Sequence, residues 1–272
     1  MTQHSSRRSV LMGALGATSL MAAARTSLRI LRLPLRSRVE AFKGSGVWAE
    51  VRFEKEFPVA ETGLLICDMW DNHWCSGAAQ RVTGLVKLMA PVVDQARAGG
   101  VQIIHAPSDV MAFYKDYPQR QRMLALPKVA PPVECDLTDP ALPVENGCDT
   151  SADKYYKAWT RQHAGIRIAG DDAISDQGTE IYSLLKKQGI GSLLVMGVHT
   201  NVCVLKRSFA IRQMTKWGIR CVLVRDLTDT MYDPKTPPYV PHDQGTELVV
   251  QHIEKYWCPT TLSAQLTQAL HS

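Results

Sequence analysis

From residue 63 onward, short continuous apolar runs alternate with longer segments whose apolar positions recur every three or four residues. Gly63–Cys67 (GLLIC) has the unbroken apolarity of a strand buried on both faces. Gln80–Ala98 then carries Val82, Leu85, Leu88, Met89, Val92, Val93 and Ala96 at helical spacing, and Gly99-Gly100 stops it. Val101–Ala106 predicts a second strand, and Ile166–Ala169 a weaker one. A helix over Thr179–Lys187 ends at Gly189 and feeds the strand Ser192–Val198. Another, Asn201–Trp217, ends at Gly218 and feeds Arg220–Val224, and Gly245–Tyr256 predicts a last helix. Strand, helix, glycine, strand in repetition means right-handed βαβ units: an α/β fold, with a parallel sheet flanked by helices on both faces. Residues 108–165 break the pattern and are rich in Pro, Tyr and Trp, which predicts a functional insertion or lid. No boundary splits residues 44–272, so they read as one domain.

The N-terminus follows a different pattern. Met1–Ser9 is polar and holds the pair Arg7-Arg8, Val10–Ala24 is apolar and free of acids, and Ala22-Ala23-Ala24 offers small side chains for cleavage. That order predicts a signal peptide over residues 1–24, against the alternative of a buried helix or membrane anchor. Ser6-Arg7-Arg8-Ser9-Val10-Leu11 is similar to the twin-arginine signal, whose export machinery carries folded proteins. Residues 25–43 then read as a poorly packed basic leader, and the mature chain as periplasmic or secreted.

Charge supports this division. Net charge is +5, yet residues 1–40 contain seven arginines and one acid, leaving the remainder with 24 basic and 25 acidic residues. A near-neutral body gives no reason to expect a nucleic-acid partner. At 272 residues and 45% hydrophobic, the chain has the core of a globular protein, which excludes disorder and a disulfide miniprotein. Of the seven cysteines, Cys135 and Cys148 flank a Pro-rich loop and are the favoured bridge.

In an open parallel sheet, ligands bind beyond the carboxyl ends of the strands. The first strand ends at Asp68, followed by Trp70, Asp71, His73 and Trp74; the second ends at His105; another ends at His199-Thr200-Asn201, with Cys203 opening the next helix. A thiol in a first helical turn meets unpaired N–H groups, which favour thiolate and can hold an oxyanion. The alternative is an inert buried helix cysteine. A carboxylate directly after an apolar strand is costly unless paired or working, so Asp68 is either a proton acceptor for Cys203 or a cap. Trp70, His73, His105 and Asn201 are candidate substrate-binding residues. Asp71, His73, His105 and His199 also have the chemistry of metal ligands, but hydrogen-bonded pocket histidines are the favoured reading, with no metal or cofactor expected.

Leu64-Leu65-Ile66-Cys67-Asp68-Met69 and Gly197-Val198-His199-Thr200-Asn201-Val202-Cys203-Val204 resemble the two signature segments of the isochorismatase-like cysteine hydrolases, a superfamily that includes nicotinamidases. The resemblance covers about residues 58–256. It implies Cys203 as nucleophile, Asp68 as base, a cis Val198–His199 peptide, and an oxyanion hole from the backbone N–H groups of His199 and Cys203. The family's catalytic Lys has no counterpart near Ala169-Gly170, leaving Arg161, Arg167, Lys154 or Lys157 as substitutes, and the nicotinamidase metal motif is absent after the second strand. The expectation is therefore an exported cysteine hydrolase cleaving an amide-like bond of a small molecule through a covalent intermediate, and, by the same resemblance, a homo-oligomer. The rivals are a non-catalytic binding protein on the same scaffold and a metalloenzyme using the histidines.

Overall fold

The structure, a computed structural model, describes residues 29–150 and 152–271. The expected signal peptide over 1–24 lies outside the described residues. Of the expected leader, residues 30–40 form a regular strand, β1 (Ile30–Glu40), paired antiparallel along its full length with β2 (Trp48–Pro58). This corrects the reading of 25–43 as poorly packed and moves the start of the folded body from 44 back to Ile30. The physical reason is an alternation that the arginines conceal: Leu31, Leu33 and Leu35 are buried, while Arg32 and Pro34 between them are exposed.

The remaining elements follow in the expected rhythm: β3 (Thr62–Cys67), α1 (Ser76–Ala98), β4 (Gln102–Ala106), α2 (Pro118–Leu124), β5 (Ala173–Ile174) and α3 (Gly178–Gln188). Then come β6 (Ser192–Val198), α4 (Cys203–Lys206), α5 (Ile211–Lys216), β7 (Arg220–Asp229), α6 (His242–Tyr256), β8 (Thr260–Thr261) and α7 (Ser263–His271). The sheet order is β2-β1-β8-β7-β6-β3-β4-β5, parallel from β8 to β5 and antiparallel at the β1–β2 hairpin. Successive β6 residues feed two cores: Leu193 and Val195 pack on the face covered by α3, α5 and α6, Leu194 and Met196 on the face covered by α1 and α7. Among the described residues, no helix is long and apolar enough to cross a membrane.

Two expected elements differ. Ile166–Ala169 is not a strand; the short β5 lies just after it. The single helix expected over Asn201–Trp217 is two, α4 and α5, with Arg207 extended between them (ψ 154°). The bend accommodates α3, whose first residue, Gly178, comes so close that a Cβ there would lie 2.0 Å from the Ser208 carbonyl oxygen.

Candidate active site

Chain order along the sheet reverses between β3 and β6, and at such a switch the loops after the two strands diverge and open a crevice. Asp68 and Cys203 stand on either side of it. The strand ends are pressed together at Gly197 (φ 124°), where a Cβ would lie 2.0 Å from the Cys67 carbonyl oxygen. Only glycine fits there. Asp68 itself has φ 46°, which swings its fully buried carboxylate out of the strand line and into the crevice.

Three donors converge on that carboxylate. The Ser108 backbone N–H reaches Oδ1 at 2.6 Å, Arg207 Nε reaches Oδ2 at 3.3 Å, and the Cys203 thiol hydrogen-bonds to it as well. Arg207 also touches the Cys203 sulfur and holds Asp109 Oδ2 at 3.0 Å. The Val198–His199 peptide is cis, and the His199 backbone N–H points at the Cys203 sulfur. The His199 carbonyl meanwhile accepts from the N–H groups of Val202 and Val204, closing a tight turn.

The electrostatics differ from the thiolate expected for Cys203. Burial, reinforced by the neighbouring Asp68 charge, pushes the thiol well above its ordinary range. Burial also raises Asp68 to about 6, with the Arg207 charge and the Cys203 and Ser108 hydrogen bonds limiting the rise. The resting pair at neutral pH is thus a thiol beside a carboxylate, with the proton on sulfur and a base already in contact with it. The short helix behind Cys203 does not offset desolvation and a like charge.

Arg207 is the residue that sequence reading missed. Arg161 lies near Asp71, Arg167 on Asp94 and Lys157 on the Asp109 carbonyl, so none of these substitutes reaches the Asp68–Cys203 pair. The cation arrives from the other direction, four residues after the nucleophile candidate. Spacing of i, i+4 on the helix expected there was the available signal, since it puts two side chains on one face.

A cleft of about 280 Å³ opens above the pair, with Trp70, His73, His199, Cys203 and Arg207 in its wall. Trp70 and His73 therefore fall where expected. His105 and Asn201 do not. His105 is fully buried, with Nδ1 3.0 Å from Gln162 and Nε2 3.0 Å from Asp172. Asn201 exchanges two hydrogen bonds with the Met231 backbone and so ties two loops together. With Asp71 bound to Thr160 and His105 enclosed, the four residues considered as metal ligands do not share one cleft. Additional wall residues come from the insertion: Trp159 stacks on Trp70 at 4.4 Å, and Tyr155 meets Trp74 edge-on at 5.7 Å.

The bridge expected between Cys135 and Cys148 is instead Cys75–Cys148, which joins the residue before α1 to the insertion. Cys135 is exposed and free. Its backbone N–H is held by the Lys216 carbonyl, on a different part of the molecule from Cys148.

The isochorismatase domain model matches residues 62–236, and the chain belongs to the isochorismatase family. A cysteine hydrolase from Pseudomonas syringae pv. phaseolicola 1448A has a similar fold, with TM-score 0.52 and 16% identity over 79% of this chain and 94% of its own. An isochorismatase from Pseudomonas putida KT2440 gives TM-score 0.48 and 16% identity over 76% of this chain and 90% of its own. No curated protein matches the chain. The fold is that of a hydrolase family, and the chemistry of this member rests on its own residues.

Proposed function

We propose that this protein is an exported cysteine hydrolase that cleaves an amide-like C–N bond of a small molecule through a covalent thioester. Cys203 Sγ attacks the carbonyl carbon while Asp68 takes the thiol proton. The oxygen, now negative, is held by the backbone N–H groups of His199 and Cys203. The C–N bond then breaks as Asp68 returns the proton to the departing nitrogen. Water adds to the thioester with Asp68 again as base, the C–S bond breaks, and the acid leaves with the thiol restored. Arg207 stays charged throughout and restrains the Asp68 proton affinity. Its guanidinium has burial against it, but the charges of Asp68 and Asp109 more than compensate.

The observation that carries this reading is the mutual contact of Asp68, Cys203 and Arg207, with Cys203 and Arg207 in the wall of an open cleft and Asp68 buried behind them. Export is supported by the Cys75–Cys148 bridge, which suits an oxidising compartment such as the periplasm. The test is incubation with a panel of amides and esters, followed by intact-mass analysis. An acyl adduct on Cys203, absent in Cys203→Ala, with turnover abolished in Cys203→Ala and Asp68→Asn, is the expected result. Turnover that survives in Cys203→Ala would overturn the mechanism. Amide binding without any adduct or turnover across the panel would make the chain a binding protein on a hydrolase scaffold.

A further inference from the structure

Within the cleft, two buried ring nitrogens lack a hydrogen-bond partner among the described residues, Trp159 Nε1 and His199 Nε2, and His199 lies beside Cys203. His199 is 3% exposed. A buried ring nitrogen without a partner is unfavourable until a ligand or water supplies one. The His199 ring meets His73 edge-on, with centroids 4.9 Å apart. His73 Nδ1 accepts the Cys75 backbone N–H at 3.1 Å, so the proton of a neutral His73 ring sits on Nε2, which makes that atom a donor. Burial, with the like charges of neighbouring groups, brings His73 down to about 4 and His199 to about 3. Both rings are therefore uncharged at neutral pH, and neither can pair with an anion.

The surroundings select further. Trp70, Trp159 and His73 lie nearly parallel, with interplanar angles of 16° for the two tryptophans and 12° for His73 on Trp159. A flat group entering the cleft can continue this stack at the separation aromatic rings prefer. Arg207, the basic residue of the cleft wall, is already engaged by Asp68 and Asp109, so two carboxylates oppose one guanidinium. An incoming carboxylate would meet net negative charge. A cation is drawn by that net charge, but to pair with either carboxylate it must displace Arg207, and its own N–H groups would face the His73 N–H.

We propose that His199, together with His73, determines specificity in this cleft by binding the polar edge of an uncharged, planar amide and rejecting charged analogues of the same shape. This rests on the cysteine-hydrolase reading only for the word amide; the binding preference stands on the cleft itself.

The test is therefore binding, not turnover. Quenching of tryptophan fluorescence is measured on Cys203→Ala protein with four probes: benzamide, benzoate, benzamidinium and cyclohexanecarboxamide. Benzamide is expected to bind at least ten times more tightly than each of the others. His199→Phe keeps a ring but loses the nitrogens, and should weaken benzamide about tenfold, as loss of one hydrogen bond does, with an unchanged melting temperature. If His199→Phe does not fold, His199→Gln, which keeps a polar group, should retain part of the affinity. Undetectable benzamide binding, charged probes binding as tightly as benzamide, or equal benzamide affinity in wild type and the folded His199 variant would each overturn the proposal. The expected pattern without any turnover in wild type would strike the hydrolase reading alone.

Discussion

At neutral pH most Asp68 side chains are ionised, but with little margin. Raised from 3.8 to about 6 chiefly by burial, Asp68 loses its capacity to accept the Cys203 proton as pH falls through that value. The kcat/KM profile should accordingly have an acid limb near pH 6. Arg207 is among the groups holding that value down, so Arg207→Gln should shift the limb upward and lower kcat/KM by roughly 10²-fold or more, whereas Arg207→Lys should restore part of both. A pH–rate profile on the three proteins checks this, and an unmoved limb in Arg207→Gln would remove Arg207 from the machinery. In folding the sign is opposite to that of an ordinary ion-paired carboxylate. The folded state holds the Asp68 proton more tightly than the unfolded chain, so the contribution is fully present below pH 3.8 and lost as pH rises through 6. The sequence makes Cys203, Asp68, His199, Trp70 and His73 visible as cleft residues because each lies just beyond a strand end. Being near a strand end does not say which way a side chain turns. For that reason His105, in the last turn of alternation of β4, and Asn201, in the loop after β6, look like cleft residues and instead face inward to partners of their own.

The insertion is a wall more than a loose lid. It is tied down at one end by Cys75–Cys148, a link across 73 residues of sequence, and by Ser76, whose backbone N–H and hydroxyl both donate to Asp153. Arg81 of α1 adds an ion pair to Asp149 and another to Asp229, so the start of α1, the insertion and the end of β7 form one block beside Trp74. Closing a loop of that length stabilises the fold by about 4 kcal/mol in the chain-entropy model. Reduction, or Cys148→Ala, should therefore lower the urea midpoint markedly and raise KM more than it lowers kcat, because the wall moves while the Asp68–Cys203–Arg207 contact does not. An unchanged midpoint on reduction would mean that the polar contacts of the block suffice. At this scale the sequence shows long periodic elements well and short ones poorly. Both β5 and β8 span two residues, too few for any periodicity, and a tertiary contact at Gly178, not a helix breaker, divides α4 from α5.

The family match begins at residue 62, so the β1–β2 hairpin lies outside it, on the far edge of the sheet from β5. It is docked by charge as well as by its leucines. Glu254 of α6 is fully buried, with one oxygen 2.6 Å from Arg36 Nε and the other 3.3 Å from Arg38 Nε. The arginines that look like an export leader are thus partly structural counterions. Removing one member of a buried ion pair strands the others, so Glu254→Ala should destabilise by about 3–5 kcal/mol in urea titration. A loss below about 1 kcal/mol would show that the Leu31, Leu33 and Leu35 packing carries the docking alone. The alternation of those leucines is present in the sequence, but the density of arginine around it masks the period of two.

The hairpin has a consequence for the order in which the molecule is made. Arg36 of β1 pairs with Thr260 of β8, so the earliest described strand to leave the ribosome seats against almost the latest. Until residue 260 emerges, the hairpin has neither Glu254 nor β8 to receive it, and its leucines wait in water. Completion of the sheet therefore waits until more than two hundred residues after β1 have been made. If the chain is exported as proposed, a route that threads the nascent chain has to assemble this seam on the far side of the membrane, whereas a route that waits for the finished body delivers it already joined.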